Sequence, residues 1–447
     1  MESARSLIAR LASREVSALE LCEQAIARIE ALDATINAVV VRDFERARDQ
    51  ARAADAALAR GERRALLGLP MTVKEAFDVQ GLTTNWGIRA FREHRPAQDA
   101  VMVSRLKAAG AVILGKTNVA TALADWQSVN PIYGRTVNPH DAGRSAGGSS
   151  GGSAAALASG MVALELGSDI GGSIRVPSNF CGVYGHKPSH GLLPTRGHTF
   201  PGSTEESNVL NVVGPMANHP ADLALALDVL AGPDELEATG YRLALPAPRH
   251  TRLGDFRVLV LSDNPDCATD SEVKAGVARI ADRLADAGAS VAHRHPLLPD
   301  LSASYRAYQA LLGTVTTRGS RDAGPPLDAH AWLDLLDRRQ QARAAWRRLF
   351  GEIDIVVAPV FGTAAFPHVT ESDWMKRTLT IDGQSTPYHR QLAWPAVATY
   401  PGLPATAVPA GRTAQGMPTG VQLIGPYLED RTPLALAEML HAASCRE

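Results

Sequence analysis

Cysteine and aromatic residues are scarce in this chain of 447 residues. Four cysteines stand far apart, at 22, 181, 267 and 445, and form no CxxC pair. That pattern excludes a disulfide scaffold and argues against a zinc site, so a reducing, cytoplasmic setting is the expectation. Aromatic residues make up 5% of the chain. No run approaches the roughly 18 apolar residues of a membrane span. Met1 to Arg14 carries polar or charged residues every few positions and has no apolar segment of signal-peptide type. Nor is there a surplus of one charge: Lys plus Arg is 45, Asp plus Glu is 47, and the formal net charge is −2. Charge therefore gives no reason to expect a nucleic-acid or membrane partner.

What is present is ordinary globular material, 45% hydrophobic and 21% charged. Ser17-Ala-Leu-Glu20 reads as a capping box, with Leu21, Ala25, Ile26 and Ile29 behind it at helical spacing. A second helix is expected over 42–60. From Leu69 onward short apolar runs alternate with helical patterns. Strands are expected at 70–74, 111–114, 258–261, 353–358, 405–408 and 421–424. Helices are expected at 98–109, 271–287, 327–350 and 432–443, and a Pro- and Gly-rich loop at 321–326. This alternation predicts one large α/β domain with a central mixed, mostly parallel twisted sheet flanked by helices. Three parts are expected within it: N-terminal helices (1–66), a catalytic core (67–240) and a C-terminal part (241–447) that completes the sheet and shapes a pocket.

The chemistry concentrates in two Gly/Ser-rich segments. One is Arg144-Ser-Ala-Gly-Gly-Ser-Ser-Gly-Gly-Ser153, the other Gly167-Ser-Asp-Ile-Gly-Gly-Ser-Ile-Arg-Val-Pro177. Tight apolar runs flank both, which argues against a flexible linker and for glycine used in close approach. A hydroxyl that attacks a carbonyl needs a base, an oxyanion site and rigid placement. Gly171-Gly172-Ser173 offers two of these, since adjacent glycines let successive N–H groups converge beside a serine. The base has two candidates. Histidines His186, His190 and His198 lie downstream, with His186 the nearest, yet none sits in a GxSxG elbow. Lys74 ends an apolar strand pattern, where desolvation would favour a neutral amine, although it could instead pair with Glu75 or Asp78.

Taken together, these segments resemble the amidase signature family. The resemblance is carried by Pro70-Met-Thr-Val-Lys74, Gly115-Lys-Thr-Asn118, Gly147-Gly-Ser-Ser-Gly-Gly152, Asp169-Ile-Gly-Gly-Ser-Ile-Arg175, Gly402-Leu-Pro-Ala-Thr-Ala-Val-Pro409 and Met417-Pro-Thr-Gly-Val-Gln-Leu-Ile424. It implies a Ser–cis-Ser–Lys triad: Ser173 as nucleophile, Ser149 as relay and Lys74 as base. It also implies an oxyanion hole from the N–H groups of Ile170, Gly171, Gly172 and Ser173, with Ser150, Asp169 and Arg175 bracing the loops. No metal or organic cofactor is implied. Glu75 departs from the family's more usual aspartate, and Asn118 is followed by Val-Ala-Thr, where an acidic residue is common.

The subset resembled is that of aryl acylamidases and urethanase-like enzymes, which implies aryl or anilide amides as substrates, with aryl esters and carbamates. Trp126, Gln127 and Tyr133 are the candidate pocket residues, although a large apolar ring such as Trp126 more often packs than stacks on a substrate. Segments 194–207 and 374–394 are expected at the entrance. The resemblance also admits the glutamine-hydrolysing A subunit of a tRNA-dependent amidotransferase, and a non-catalytic binding protein that keeps the fold. Oligomeric state is not legible. Gly110-Ala-Val-Ile-Leu-Gly-Lys-Thr117 matches the phosphate-binding pattern GxxxxGK[ST]. Its four middle residues are all apolar and predict a buried strand instead, so nucleotide binding is not expected.

Overall fold

The computed structural model describes residues 2–203, 209–317 and 327–444. The expected loop 321–326 and the last part of the expected entrance segment, 204–207, lie outside the described residues. Three helices open the chain: Ala4–Ser13, Ala18–Ile36 and Phe44–Ala59. The capping box forms as read. Ser17 accepts from the Glu20 N–H and the Glu20 carboxylate reaches back to the Ser17 N–H. Asp55 of the third helix accepts from the N–H groups of Ala18 (2.6 Å) and Leu19 (3.1 Å), so a carboxylate from a neighbouring helix completes the cap. Leu21, Ala25, Ile26 and Ile29 are buried in one cluster with Ala154, Ala155 and Leu157. The helix expected over 42–60 is this third one, and it starts at Phe44 because Val39–Arg42 is a strand.

The main sheet has eight strands in the order Ser290–Ala292, Arg257–Val260, Ile355–Pro359, Pro418–Ile424, Ala405–Arg412, Tyr184–Lys187, Val212–Ala217 and Leu164–Asp169. It is mixed, as expected, but not mostly parallel. Among the described residues only the pairs of Arg257–Val260 with its two neighbours are parallel; the other five pairs are antiparallel. Apolar runs show burial and not direction. Ala405–Arg412 and Pro418–Ile424 are joined directly by a short turn, which forces antiparallel pairing, while parallel neighbours need a crossover. Strand Ile355–Pro359 shows why such runs read as continuously apolar. Ile355 and Val357 face helices Ser271–Asp286 and Arg431–Ser444, while Val356 and Ala358 face Leu301–Thr316, Ala329–Glu352 and Ala393–Thr399.

A second sheet, Val39–Arg42, Val112–Thr117 and Pro70–Lys74, lies against the Leu164–Asp169 edge. Side-chain contacts there advance in step, Thr72 to Glu165 and then Lys74 to Ser168. The strands Pro70–Lys74 and Leu164–Asp169 thus run the same way and end side by side. That places Lys74 and Asp169 at the carboxyl ends of neighbouring strands, the usual location of sites in α/β sheets.

The phosphate-loop look-alike is resolved here. Gly115, Lys116 and Thr117 complete a fully buried strand, with the Lys116 ammonium donating to the Thr83 carbonyl (2.5 Å) and the Thr84 hydroxyl (2.8 Å). No loop cradles a phosphate at that point. Among the described residues no helix is long and apolar enough to cross a membrane.

Candidate active site

Lys74 is fully buried. Its Nζ donates to Ser149 Oγ at 2.7 Å and to Ser168 Oγ at 2.9 Å. Burial pushes its pKa down to about 7, against the opposing pull of Asp169 and Glu75, so a large share of the amine is uncharged near neutral pH.

Ser149 follows a cis Gly148–Ser149 peptide bond, and helix Gly151–Ala158 begins two residues later. The turn is tied down by Ser128, whose hydroxyl donates to the Gly147 carbonyl (3.1 Å) and accepts from the Gly151 N–H (2.9 Å). Gly148 has no room for a side chain: a Cβ there would collide with the Asp125 carbonyl oxygen. Ser173 is brought against this turn, its carbonyl accepting from the Ser150 N–H at 3.3 Å. The Ser150 hydroxyl lies 3.4 Å from the Ser168 carbonyl.

Strand Leu164–Asp169 turns through Ile170–Ile174 into helix Arg175–Cys181. Asp169 organises this turn. It accepts from the N–H groups of Gly172 (2.9 Å) and Ile174 (3.1 Å) and takes a two-pronged pair from Arg175, 3.0 Å to Nε and 2.9 Å to Nη2. Burial alone would raise the Asp169 carboxyl, but the Arg175 guanidinium holds it down at about 2. Arg175 also donates to Gln422 (2.7 Å), Thr399 (2.8 Å) and the Pro395 carbonyl (3.1 Å). The far C-terminal motif therefore belongs to this site through one guanidinium.

Of the four N–H groups expected at an oxyanion hole, that of Gly172 is committed to Asp169. Those of Gly171 and Ser173 donate to no described residue. The pocket expectations shift more. Trp126 is 2% exposed, packed edge-on against Phe361 and tilted against Trp374 and Tyr388, and its indole N–H donates to the Gly171 carbonyl at 2.9 Å. A ring so enclosed has no face to offer a substrate; it braces the turn. Gln127 is buried as well and exchanges hydrogen bonds with the backbone of Val369 (2.9 and 3.2 Å). Tyr133 accepts from Asn85 at 2.7 Å and donates to Glu75 at 3.4 Å. Glu75, the departure from the family pattern, accepts from the N–H groups of Asn85 (2.8 Å) and Trp86 (3.0 Å) and shapes the loop after Lys74.

Two of the histidine candidates are accounted for. His186 is held between Thr406 (2.9 Å) and Asp430 (3.2 Å) inside the sheet. His198 packs against Phe77 and Trp86, and burial with the nearby Lys74 pushes its pKa down to about 3, so it is neutral. The sequence reading missed Ser168, Ser128 and Tyr308. Ser168 had a signal, since it immediately precedes Asp169 in the second Gly/Ser segment. Tyr308, whose hydroxyl donates to the Ile170 carbonyl at 2.8 Å, had none.

The family model described as Amidase matches residues 20–322 and 308–434. AtzE, a 1-carboxybiuret hydrolase component from Pseudomonas sp. (strain ADP), is 49% identical over 233 residues, a stretch covering 52% of this chain and 50% of that protein. The A subunit of the glutamyl-tRNA(Gln) amidotransferase of Roseiflexus castenholzii is 32% identical, covering 97% of this chain and 94% of its own. Among solved structures, a chain from an inhibitor-bound vestigial protein complex, described as revealing the evolutionary origins of an s-triazine catabolic enzyme, superposes with a TM-score of 0.85 at 33% identity, covering 99% of each chain. With the buried lysine, the paired serine turns and the Asp–Arg clasp in place, this chain belongs to the amidase signature family.

Proposed function

We propose that the chain hydrolyses C–N bonds next to a carbonyl through an ester intermediate on Ser173, with Lys74 as base and Ser149 as relay. The observation that carries this is the contact of a buried amine, whose pKa burial brings down to about 7, with Ser149 at 2.7 Å. In the proposed cycle Lys74 takes the Ser149 proton and Ser149 takes that of Ser173. Ser173 Oγ then bonds to the carbonyl carbon. The negative oxygen that results is met by the open N–H groups of Gly171 and Ser173, each donor worth about 3–4 kcal/mol in such sites. The C–N bond breaks as the relay hands its proton to the departing nitrogen. Water repeats the sequence on the acyl-enzyme and frees the acid.

The substrate class proposed is a small amide, carbamate or aryl ester. Anilide-type amides enter from the resemblance alone, because the ring that could have stacked on an aryl group, Trp126, is enclosed. A second reading, a urea-type amide, is favoured by the 49% identity to a 1-carboxybiuret hydrolase component. That relative and the amidotransferase relatives are both subunits by name, which keeps glutamine hydrolysis within a complex as the competing role. A panel of 4-nitroacetanilide, phenyl carbamate, biuret and glutamine, assayed for the amine or ammonia released, tests the proposal. Turnover of any of the first three by the isolated chain supports it. Turnover of glutamine alone, appearing only with copurified partner chains, assigns the amidotransferase role instead and overturns the proposed substrate class.

A further inference from the structure

A trans peptide unit is planar, with its C=O and N–H pointing in opposite directions. Whatever grips the carbonyl therefore aims the N–H. Three consecutive units of the Ile170–Ser173 turn are gripped in this way by three separate parts of the chain. Tyr308, fully buried on helix Leu301–Thr316, donates its hydroxyl to the Ile170 carbonyl at 2.8 Å, and that unit carries the Gly171 N–H. Trp126 donates its indole N–H to the Gly171 carbonyl at 2.9 Å, and the opposite end of that unit, the Gly172 N–H, is held by Asp169 at 2.9 Å. The Val176 N–H donates to the Gly172 carbonyl at 2.7 Å, in the unit that carries the Ser173 N–H.

The open donors, Gly171 and Ser173, thus alternate with a locked one. Space is as tight as the bonding: a Cβ on Gly171 would stand 3.1 Å from Leu392 Cδ2 and 3.4 Å from the Tyr308 hydroxyl. Burial also holds the Tyr308 phenol above its ordinary pKa, so it stays a donor.

We propose that Tyr308 and Trp126 are positioning residues for oxyanion stabilisation: Tyr308 aims the Gly171 N–H at the developing charge, and Trp126 locks the next peptide unit so that the aim holds. This rests on the acyl-transfer reading above. Neither side chain touches the substrate in this role; each acts through a backbone carbonyl.

The test uses Tyr308→Phe and Trp126→Phe, which keep an aromatic ring and remove the donor. Each variant and the parent are assayed on 4-nitrophenyl acetate and on its thionoester, whose sulfur is a poor acceptor for N–H donors. Ser173 is labelled in parallel with a fluorophosphonate. The expected result is a kcat on the oxygen ester lower by about tenfold, since a misaimed donor forfeits only part of the roughly 10²–10³-fold that its outright removal costs. KM should stay within about threefold, and the oxygen-to-sulfur rate ratio should fall. The melting midpoint of Tyr308→Phe should stay close to the parent's. An unchanged kcat, or a reduced kcat with an unchanged oxygen-to-sulfur ratio, overturns the inference while labelled Ser173 leaves the acyl-transfer reading standing. A parent chain whose Ser173 takes no label overturns that reading, and the inference with it.

Discussion

The Nζ of Lys74 lies 2.7 Å from Ser149 Oγ, and among the described residues no carboxylate is in hydrogen-bonding contact with it. An amine in that position is a base only after it has lost its proton, and burial has moved that event from an ordinary value of 10.5 down to about 7. Below pH 7 the buried amine is protonated and its desolvation penalty is fully present. Between about 7 and 10.5 the unfolded chain binds a proton that the folded chain does not, so stability climbs with pH across that window. The rate constant kcat/KM should rise with pH through about 7 as the free enzyme's base becomes available. Lys74→Met should reduce turnover by about 10²–10⁴-fold while leaving the melting midpoint at pH 7 equal or higher. A turnover assay and a thermal melt, each run across roughly pH 6 to 10, check both.

Arg175 and Asp169 form a completely buried pair whose other bonds reach residues 395, 399 and 422. Removing one partner leaves an uncompensated charge, and Arg175→Ala should cost about 3–5 kcal/mol by urea unfolding near neutral pH. Asp169 ionises at about 2 in the fold against an ordinary 3.8, so its contribution is present above pH 3.8 and is lost as the pH falls through 2. Without the arginine that carboxyl titrates higher, and acid unfolding of the variant should begin at a higher pH than in the parent.

Glu75 closes the loop that follows Lys74 by accepting two backbone N–H groups. Glu75→Ala should leave the Asn85 and Trp86 donors unpaired at about 1–3 kcal/mol each. Denaturant melts of parent and variant measure the loss.

Gly148→Ala places a methyl group against the Asp125 carbonyl oxygen and 2.9 Å from the Gln127 nitrogen, both backbone atoms that cannot step aside. The turn carrying Ser149 must shift, and a misplacement on the scale of an ångström costs turnover about 10²-fold. Kinetics on the folded variant, verified by circular dichroism, read this out.

Where local chemistry decides the outcome, the sequence was legible. Ser17 and Glu20 cap a helix as their spacing says, and the apolar run expected as a strand at 111–114 starts, from Val112, the strand that buries Lys116. Lys74 and the two Gly/Ser turns could be read because each motif is contiguous. Strand direction was not legible, since Val356 or Val421 is apolar whichever way its neighbour runs. The clasps on the turn were also hidden. Tyr308 and Trp126 reach it from distant segments through backbone carbonyls, which carry no sequence signature at all. Trp126 illustrates the ambiguity in the other direction: an aromatic ring in a loop beside the site has the same letter whether it stacks on a ligand or braces the backbone.

The central claim is that an alcohol side chain is acylated with a lysine as ultimate base. It is tested most directly by rapid acid quench of the protein during turnover of 4-nitrophenyl acetate, followed by peptide mass mapping. The account predicts an acetyl adduct on the peptide carrying Ser173, absent from Ser173→Ala and scarce in Lys74→Met. An adduct on any other residue, or one that forms at the parent rate without Lys74, would contradict it.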